Sequence, residues 1–346
     1  YAVEEREGTG LPGTLAVMAL ARSKTKRSTP PPLPGNVAVR PATTGWKYLS
    51  PAELSGLKNM LFAARVIVEG AYAGRHRSPY KGSAAEFVDY REYYPGDEIR
   101  TIDWKAYART DRHFVKLFQR ETDMACHIVL DRSASMGYGG KAFRAFFPTK
   151  EVSKLEYGSY LAAALAYLLV KQGDRVGLTL FDEKVTAHVP AGSTFPHLYS
   201  ILNVLELQKP GKKTSVSRAL HDVFSLHKRR GMLIVISDLL DDPVKVFQAL
   251  DMFRHRRFEV VLFHVLHRYE LTLPPLDSVN FVDAESSETM TARPGDIAES
   301  YERELHLYLD QISAAARARG IDYNLVNTAT PHAVALQKYL LVRSAQ

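Results

Sequence analysis

The stretch that decides the fold is His127-Ile-Val-Leu130-Asp131-Arg-Ser133-Ala-Ser135-Met-Gly137. His127 to Leu130 reads as a short apolar strand that ends at Asp131. The residues after it turn polar and small, as a loop must. Working outward toward the C-terminus, strands and helices alternate. Ser153-Lys-Leu-Glu156 is a capping box that opens a helix carrying Leu161, Leu165, Leu168 and Leu169. Gly173 is its stop signal. Strands are expected at Val176–Phe181, Met232–Ile236, Phe258–Leu266 and Tyr323–Val326, with a short edge strand at Lys184–Val189. Helices are expected at Leu198–Leu207, Val216–His227, Pro243–Arg254, Ile297–Arg319 and Pro331–Val342. Alternating β and α elements with continuously apolar strands indicate a parallel sheet covered on both faces. The expected fold class is therefore α/β, a doubly wound, mostly parallel sheet over residues 124–346.

Working outward toward the N-terminus, the pattern loosens. Residues 1–45 contain Thr29-Pro-Pro-Pro-Leu-Pro-Gly35 and little apolar periodicity, so a disordered Pro-rich arm is expected over residues 1–48. Ser50-Pro51-Ala52-Glu53 is a second capping box, with Leu54, Leu57, Met60, Leu61, Ala64 and Val68 at helical spacing behind it. Residues 75–112 are polar and carry turn signals at Gly82 and Pro95-Gly96. Phe114–Arg120 alternates as a strand does. Residues 49–123 thus form an N-terminal extension of a helix plus a strand.

In an open α/β sheet, ligands bind beyond the carboxyl ends of the strands, where the winding reverses. The first strand is followed by Asp131, Ser133 and Ser135. The central apolar strand is followed by Ser237-Asp238, and Thr214 lies between them in a basic loop before a helix. Two carboxylates and three hydroxyls from three loops share one chemistry, oxygen ligation of a hard cation. Mg²⁺ takes near-octahedral oxygen ligands at about 2.1 Å and keeps several waters. Hydroxyls can bind such an ion directly while carboxylates orient its waters. An ion with so little direct negative charge stays electrophilic toward an acidic side chain from outside. The D-x-S-x-S spacing lets alternate residues of an extended turn project the same way. Gly137 is expected to let the backbone leave that turn without steric cost.

Composition bounds what this site can serve. The 346 residues are 46% hydrophobic and 24% charged, which is ordinary for a globular protein. The single cysteine, Cys126, leaves no intramolecular disulfide and no cysteine-rich zinc site. The longest apolar runs, Leu161–Val170 and Leu15–Ala21, fall short of the roughly 20 residues that span a bilayer. Glu4, Glu5 and Glu7 precede the second run, where a secretory signal carries positive charge. A cytoplasmic chain without a transmembrane segment is expected. The chain opens on Tyr1, which leaves an upstream start open. The net charge is +7, of which +5 falls in residues 1–127, but it is diffuse apart from Arg22–Arg27. No specific nucleic-acid partner is expected from it.

Asp131-x-Ser133-x-Ser135, Thr214 and Asp238, in that order, resemble the complete metal-ion-dependent adhesion site of von Willebrand factor type A domains. The flanking words Gly173-Asp-Arg-Val-Gly-Leu-x-Leu-Phe181 and Ile234-Val-Ile-Ser-Asp238 are similar as well. A second block, Phe87-Val-Asp-Tyr-Arg91-Glu-Tyr-Tyr-Pro95-Gly-Asp97-Glu-Ile-Arg100-Thr-Ile-Asp103-Trp104-Lys-Ala-Tyr-Ala-Arg109, resembles the signature of the domain of unknown function 58 family, or DUF58. Such proteins join this block to a type A-like domain and are commonly encoded beside MoxR-type AAA+ ATPases. The resemblance covers residues 50–345. It implies a non-enzymatic, divalent-metal-dependent protein-binding module, an adaptor or co-chaperone of a MoxR-type ATPase. The metal would be Mg²⁺ (or Mn²⁺ or Ca²⁺), and a protein partner would supply an acidic residue to it. The Phe-rich segment Lys141–Thr149 departs from the pattern as an insertion.

Each feature has a plainer reading beside the sharp one. Asp131, Ser133, Ser135, Thr214 and Asp238 are residue types that cap helices and turns everywhere. Five in order favour the metal. Asp241 and Asp242 read as a cap before Pro243, Asp182 as a turn residue, and His264 and His267 as packing. For Arg91, Asp97, Arg100, Asp103 and Trp104 a structural role is preferred to partner docking, with Trp104 burying its ring. No P-loop, G-x-G-x-x-G, G-x-S-x-G or H-E-x-x-H motif occurs. A metal-dependent hydrolase is the enzymatic alternative. Nucleic-acid binding through the basic N-terminal part is the third.

Overall fold

The structure is a computed structural model. It describes residues 46–50, 57, 104, 107, 125–139, 152–211, 215–274, 276–282 and 289–344, and the backbone of 85–92 and 114–120. Thr214, most of the helix expected from Ser50, the segment 141–149 and the arm up to residue 45 lie outside the described residues. The chain divides into two compact units, residues 72–123 and the remainder on either side of them.

In the smaller unit, β1 (Ala85–Glu92) pairs antiparallel with β2 (Phe114–Arg120), with a register irregularity between Phe87 and Asp89. Strand β2 is the one expected from alternation. Strand β1 was not expected. The ring expected to be buried is not: Trp104 is 56% exposed and meets Tyr107 edge-on at 6.2 Å.

The larger unit is built on β3 (Ala125–Asp131), β4 (Arg175–Phe181), β5 (Val185–Gly192), β6 (Gly231–Ser237), β7 (Glu259–Leu266) and β10 (Asp322–Asn327). They run in the order β10-β7-β6-β3-β4-β5, all parallel except the edge strand β5. The doubly wound, mostly parallel α/β sheet is therefore present. A separate two-stranded hairpin, β8 (Val279–Val282) and β9 (Thr289–Ala292), lies between β7 and β10 in sequence. The winding leaves β3 toward β4 and later resumes on its other side at β6, so the switch point lies between β3 and β6.

Seven helices among the described residues complete the unit. They are α1 (Lys154–Lys171), α2 (Phe195–Leu207), α3 (Val216–Leu226), α4 (Pro243–His255), the single-turn α5 (Arg268–Leu271), α6 (Pro294–Ala318) and α7 (His332–Ser344). Because side chains alternate along a strand, each strand feeds two cores. Ile128 and Leu130 of β3 join α1, α2 and α7 on one face, while Val129 joins α3, α4 and α6 on the other. Each buried leucine of α1 contributes roughly 1.5–3 kcal/mol by leaving water, and Leu161, Leu165, Leu168 and Leu169 are all fully buried.

Helix α1 carries its first residue to the sheet's carboxyl edge, and its start is fixed locally. Ser153 caps it: the Ser153 hydroxyl accepts the Glu156 N–H, and the Glu156 carboxylate accepts the Ser153 N–H. The helix ends at Gly173 with φ +86°, a left-handed conformation that glycine adopts at no steric cost. Upstream residues brace it. Trp46 stacks on Tyr199, Tyr48 meets Tyr160 edge-on, and Lys47 pairs with Glu156 at 2.7 Å. Within the expected helix, Leu57 is helical and buried.

Candidate metal centre at the sheet switch point

Asp131 is the last residue of β3, and Asp238 follows the last residue of β6. The parallel register of these strands brings both carboxylates to the switch point. Asp131 Oδ1 accepts the Ser133 main-chain N–H at 2.8 Å, which folds the loop back on its own carboxylate. Asp131 Oδ2 accepts the Ser237 hydroxyl at 2.6 Å, tying the two strand ends together. The hydroxyls of Ser133 and Ser135 lie 2.9 Å apart. Asp131, Ser133, Ser135 and Asp238 are all buried. The structure thus brings together four of the five expected site residues; the fifth, Thr214, is outside the described residues.

Gly137 has a different role from the one expected. Its backbone is not in the left-handed region. A Cβ there would instead meet the Pro210 ring at 3.1 Å, so the loop needs glycine for close approach. The left-handed turn falls two residues later, at Gly139 with φ +94°.

Sequence reasoning missed two charged members of the site. Lys154 Nζ donates to Asp238 Oδ2 at 2.7 Å and to Glu270 Oε1 at 2.6 Å, with the lysine fully buried. Glu270 sits in α5, where its second oxygen accepts the His267 N–H at 2.7 Å. Lys154 reads in the sequence as an ordinary first-turn residue. Glu270 was traceable by the same carboxyl-edge rule, since it follows β7. Burial alone lowers a lysine's proton affinity, but Asp238 and Glu270 overcome it, and the Lys154 pKa is raised. The Asp131 carboxyl is raised by burial and then by the neighbouring Asp238 carboxylate, against the opposing hydrogen bonds from Ser237 and Ser133. Glu270 is likewise raised by burial, with Lys154 opposing.

The plainer readings hold for the neighbours. Asp242 caps α4 by accepting the Val244 N–H, and Asp241 accepts both the N–H and the hydroxyl of Ser217. Asp182 accepts the Lys184 N–H in a turn. His264 is buried, with its ring nitrogens against the Tyr323 hydroxyl at 2.8 Å and the Asp238 carbonyl at 3.0 Å. His267 caps α5.

The donor chemistry fits a hard divalent cation. Lys154 pairs with the buried carboxylates of Asp238 and Glu270, and the third buried carboxyl, Asp131, is pushed up to about 7 by burial and by Asp238. Beside them stand two hydroxyls close enough to share one ion. No cluster of three or more His, Cys, Asp or Glu side chains arranged around a metal occurs among the described residues. An ion held here would rely on the Ser133 and Ser135 hydroxyls, and oxygen donors suit Mg²⁺ better than a softer metal.

Several known proteins resemble this chain. An uncharacterized protein of Mycobacterium tuberculosis (strain ATCC 25618 / H37Rv) is 27% identical over 239 residues, spanning 68% of this chain and 72% of the relative. The crystal structure of the conserved hypothetical protein BatB from Bacteroides thetaiotaomicron shares 15% identity, over 64% of this chain and 100% of that one, with a TM-score of 0.38. The SpRpn10 VWA domain shares 9% identity over 62% of this chain and 93% of that one, with a TM-score of 0.35. Among the described residues, no helix is long and apolar enough to cross a membrane. The model for the family described as protein of unknown function DUF58 matches residues 89–305, and the chain belongs to that family.

Proposed function

We propose that this protein is a non-enzymatic, divalent-metal-dependent protein-binding module. Ser133 and Ser135 would hold a Mg²⁺ ion (or Mn²⁺ or Ca²⁺) with Asp131 and Asp238 in support, and Thr214 would join from its own loop. The bound ion supplies an electrophilic position for an acidic side chain of a protein partner. One observation carries this reading: the Asp131 and Asp238 carboxyl groups are buried at the switch point beside a pair of hydroxyls 2.9 Å apart. The partner we favour is a MoxR-type AAA+ ATPase, which would supply the work that a chain without a nucleotide motif cannot. Cytosolic residence fits Cys126, which is buried and free.

Nothing in the geometry favours a hydrolase. The imidazole bonded to the Asp238 main chain, His264, has both ring nitrogens engaged and is not poised as a base. The basic N-terminal segment belongs to the residues outside the description, so the nucleic-acid reading gains no support either.

The test is binding of the full chain to a MoxR-type ATPase of the same genome, in Mg²⁺ and in EDTA. Binding is expected in Mg²⁺ and lost in the chelator, and Asp131→Ala is expected to weaken it by about tenfold or more. Equal binding in both buffers, unaffected by Asp131→Ala, overturns the reading.

A further inference from the structure

A cavity of about 150 Å³ opens beside Asp238, between the end of β7, α5, the β8–β9 hairpin and α6. The wall is mostly apolar, with Leu266, Leu273, Phe281, Ile297 and Leu305 among its residues. Met290 of β9 also lines it and is 59% exposed, so the cavity reaches solvent on the hairpin side. Apolar cavities of about this volume stay dry and accept a benzene ring.

The polar groups in the wall are already engaged. Tyr301 Oη donates to the Glu270 carbonyl at 2.7 Å, and Tyr308 Oη donates to the Leu239 carbonyl at 3.0 Å. His264 is engaged at both ring nitrogens, and Glu270 at both carboxylate oxygens. An anion entering here would face the Asp238 and Glu270 carboxylates, and a cation would compete with Lys154 for them. With its wall mostly apolar and its tyrosine hydroxyls paired, the cavity fits an uncharged, apolar occupant.

The wall also touches the candidate metal loop. Leu239, directly after Asp238, is a leucine at φ +53°, in the left-handed region that side chains disfavour. Two hydrogen bonds hold it there. Its N–H donates to the Ser237 hydroxyl at 2.9 Å, and its carbonyl takes the Tyr308 phenol. The same Ser237 hydroxyl donates to Asp131. A ring seated against Tyr308 would bear on Leu239, the chain neighbour of Asp238.

We propose that this cavity binds one uncharged, ring-sized apolar molecule, and that its occupancy is transmitted through Tyr308 and Leu239 to Asp238. The second half rests on the reading of Asp238 as part of a metal centre; the first does not.

The test uses three probes built on one benzene ring, neutral toluene, anionic benzoate and cationic benzylammonium, titrated into the full chain in EDTA and followed by ligand-observed NMR. Toluene is expected to bind, and both charged analogues at least about tenfold more weakly. Leu305→Trp is expected to fill the cavity and abolish binding. Met290→Trp, at the exposed lip, does the same without altering the buried wall. No toluene binding, equal binding of the charged probes, or full binding in Met290→Trp overturns the site. In a second arm, Mg²⁺ affinity is measured with and without toluene. A shift of about threefold or more is expected, with a reciprocal shift in toluene affinity. An unchanged Mg²⁺ affinity overturns the transmission. A chain that binds toluene but no Mg²⁺ under either condition overturns the metal reading instead and leaves the cavity standing.

Discussion

Two regions of the larger unit bury ionisable side chains, and they handle charge in opposite ways. At the carboxyl end of β3 and β6, Asp131, Asp238, Glu270 and Lys154 are taken out of water as an ion cluster. Toward the other end of β3, His127 lies against His227 with ring centroids 3.7 Å apart, and His188 stands 5.6 Å from His227. Burial pushes His127 down to about 3 and His227 down to about 4, so both are neutral at pH 7. Neutral rings need no counter-ion, although His127 Nδ1 and His227 Nε2 are buried without a hydrogen-bond partner among the described residues. The carboxylates are instead gathered around Lys154 at the place where the fold's winding reverses. Burial alone does not distinguish a packed titratable group from a functional one. The company it keeps does: a cation and paired hydroxyls at one end of β3, other rings at the other.

The comparison breaks most readily at Lys154. Lys154→Met should leave Asp238 and Glu270 buried without their cation, at a cost of about 3–5 kcal/mol in urea unfolding. Adding Glu270→Gln should recover part of that loss, because it removes one of the stranded charges. If the site takes a divalent ion, Mg²⁺ should stabilise Lys154→Met more than the parent chain. A Lys154→Met protein that unfolds at the parent's midpoint would show that the cluster is solvated and not buried charge.

Much of this was legible in the sequence, and the reasons differ from element to element. The capping box at Ser153 and Glu156, the stop at Gly173 and the cap at Asp242 are local devices, so a few adjacent residues suffice to reveal them. Asp131 and Asp238 were found because strand ends in a doubly wound sheet face one crevice. Lys154 was missed because its burial depends on Glu270, which lies 116 residues downstream. Strand β1 was missed because the adjacent Phe87 and Val88 break its alternation, and its pairing with β2 supplies what the pattern does not. Strands β8 and β9 have four residues each, too few to set a period. Helix α5 is a single turn and escapes notice for the same reason.

The histidine pair gives a smaller effect of known sign. Its folded-state values lie below the 6.5 of an exposed imidazole. On acidification the unfolded chain therefore takes up protons first. The stability these rings contribute is complete above pH 6.5 and drains away as pH falls toward about 4 for His227 and about 3 for His127. Each ring contributes a slope of at most about 1.4 kcal/mol per pH unit in that window. His188, also lowered by burial, adds in the same direction, and Arg175 raises the cost of a charged His127. His127→Phe should flatten the stability–pH curve between pH 6.5 and 4 by about one ring's share while leaving stability near pH 7 almost unchanged. An unaltered slope would mean that the pair is open to water.

The smallest effect expected lies at the cap that delivers Lys154. Ser153→Ala removes the hydroxyl that accepts the Glu156 N–H and leaves the first turn of α1 with an unsatisfied donor. The expected loss is about 1 kcal/mol, well below that of Lys154→Met one residue later. Neighbouring positions on one helix should thus differ severalfold, because one side chain ends at a helix terminus and the other inside a charge cluster. If Ser153→Ala cost as much as Lys154→Met, the first turn would owe its placement to the cap and not to the carboxylates. The ion cluster would then be a consequence of where α1 begins rather than what holds it there.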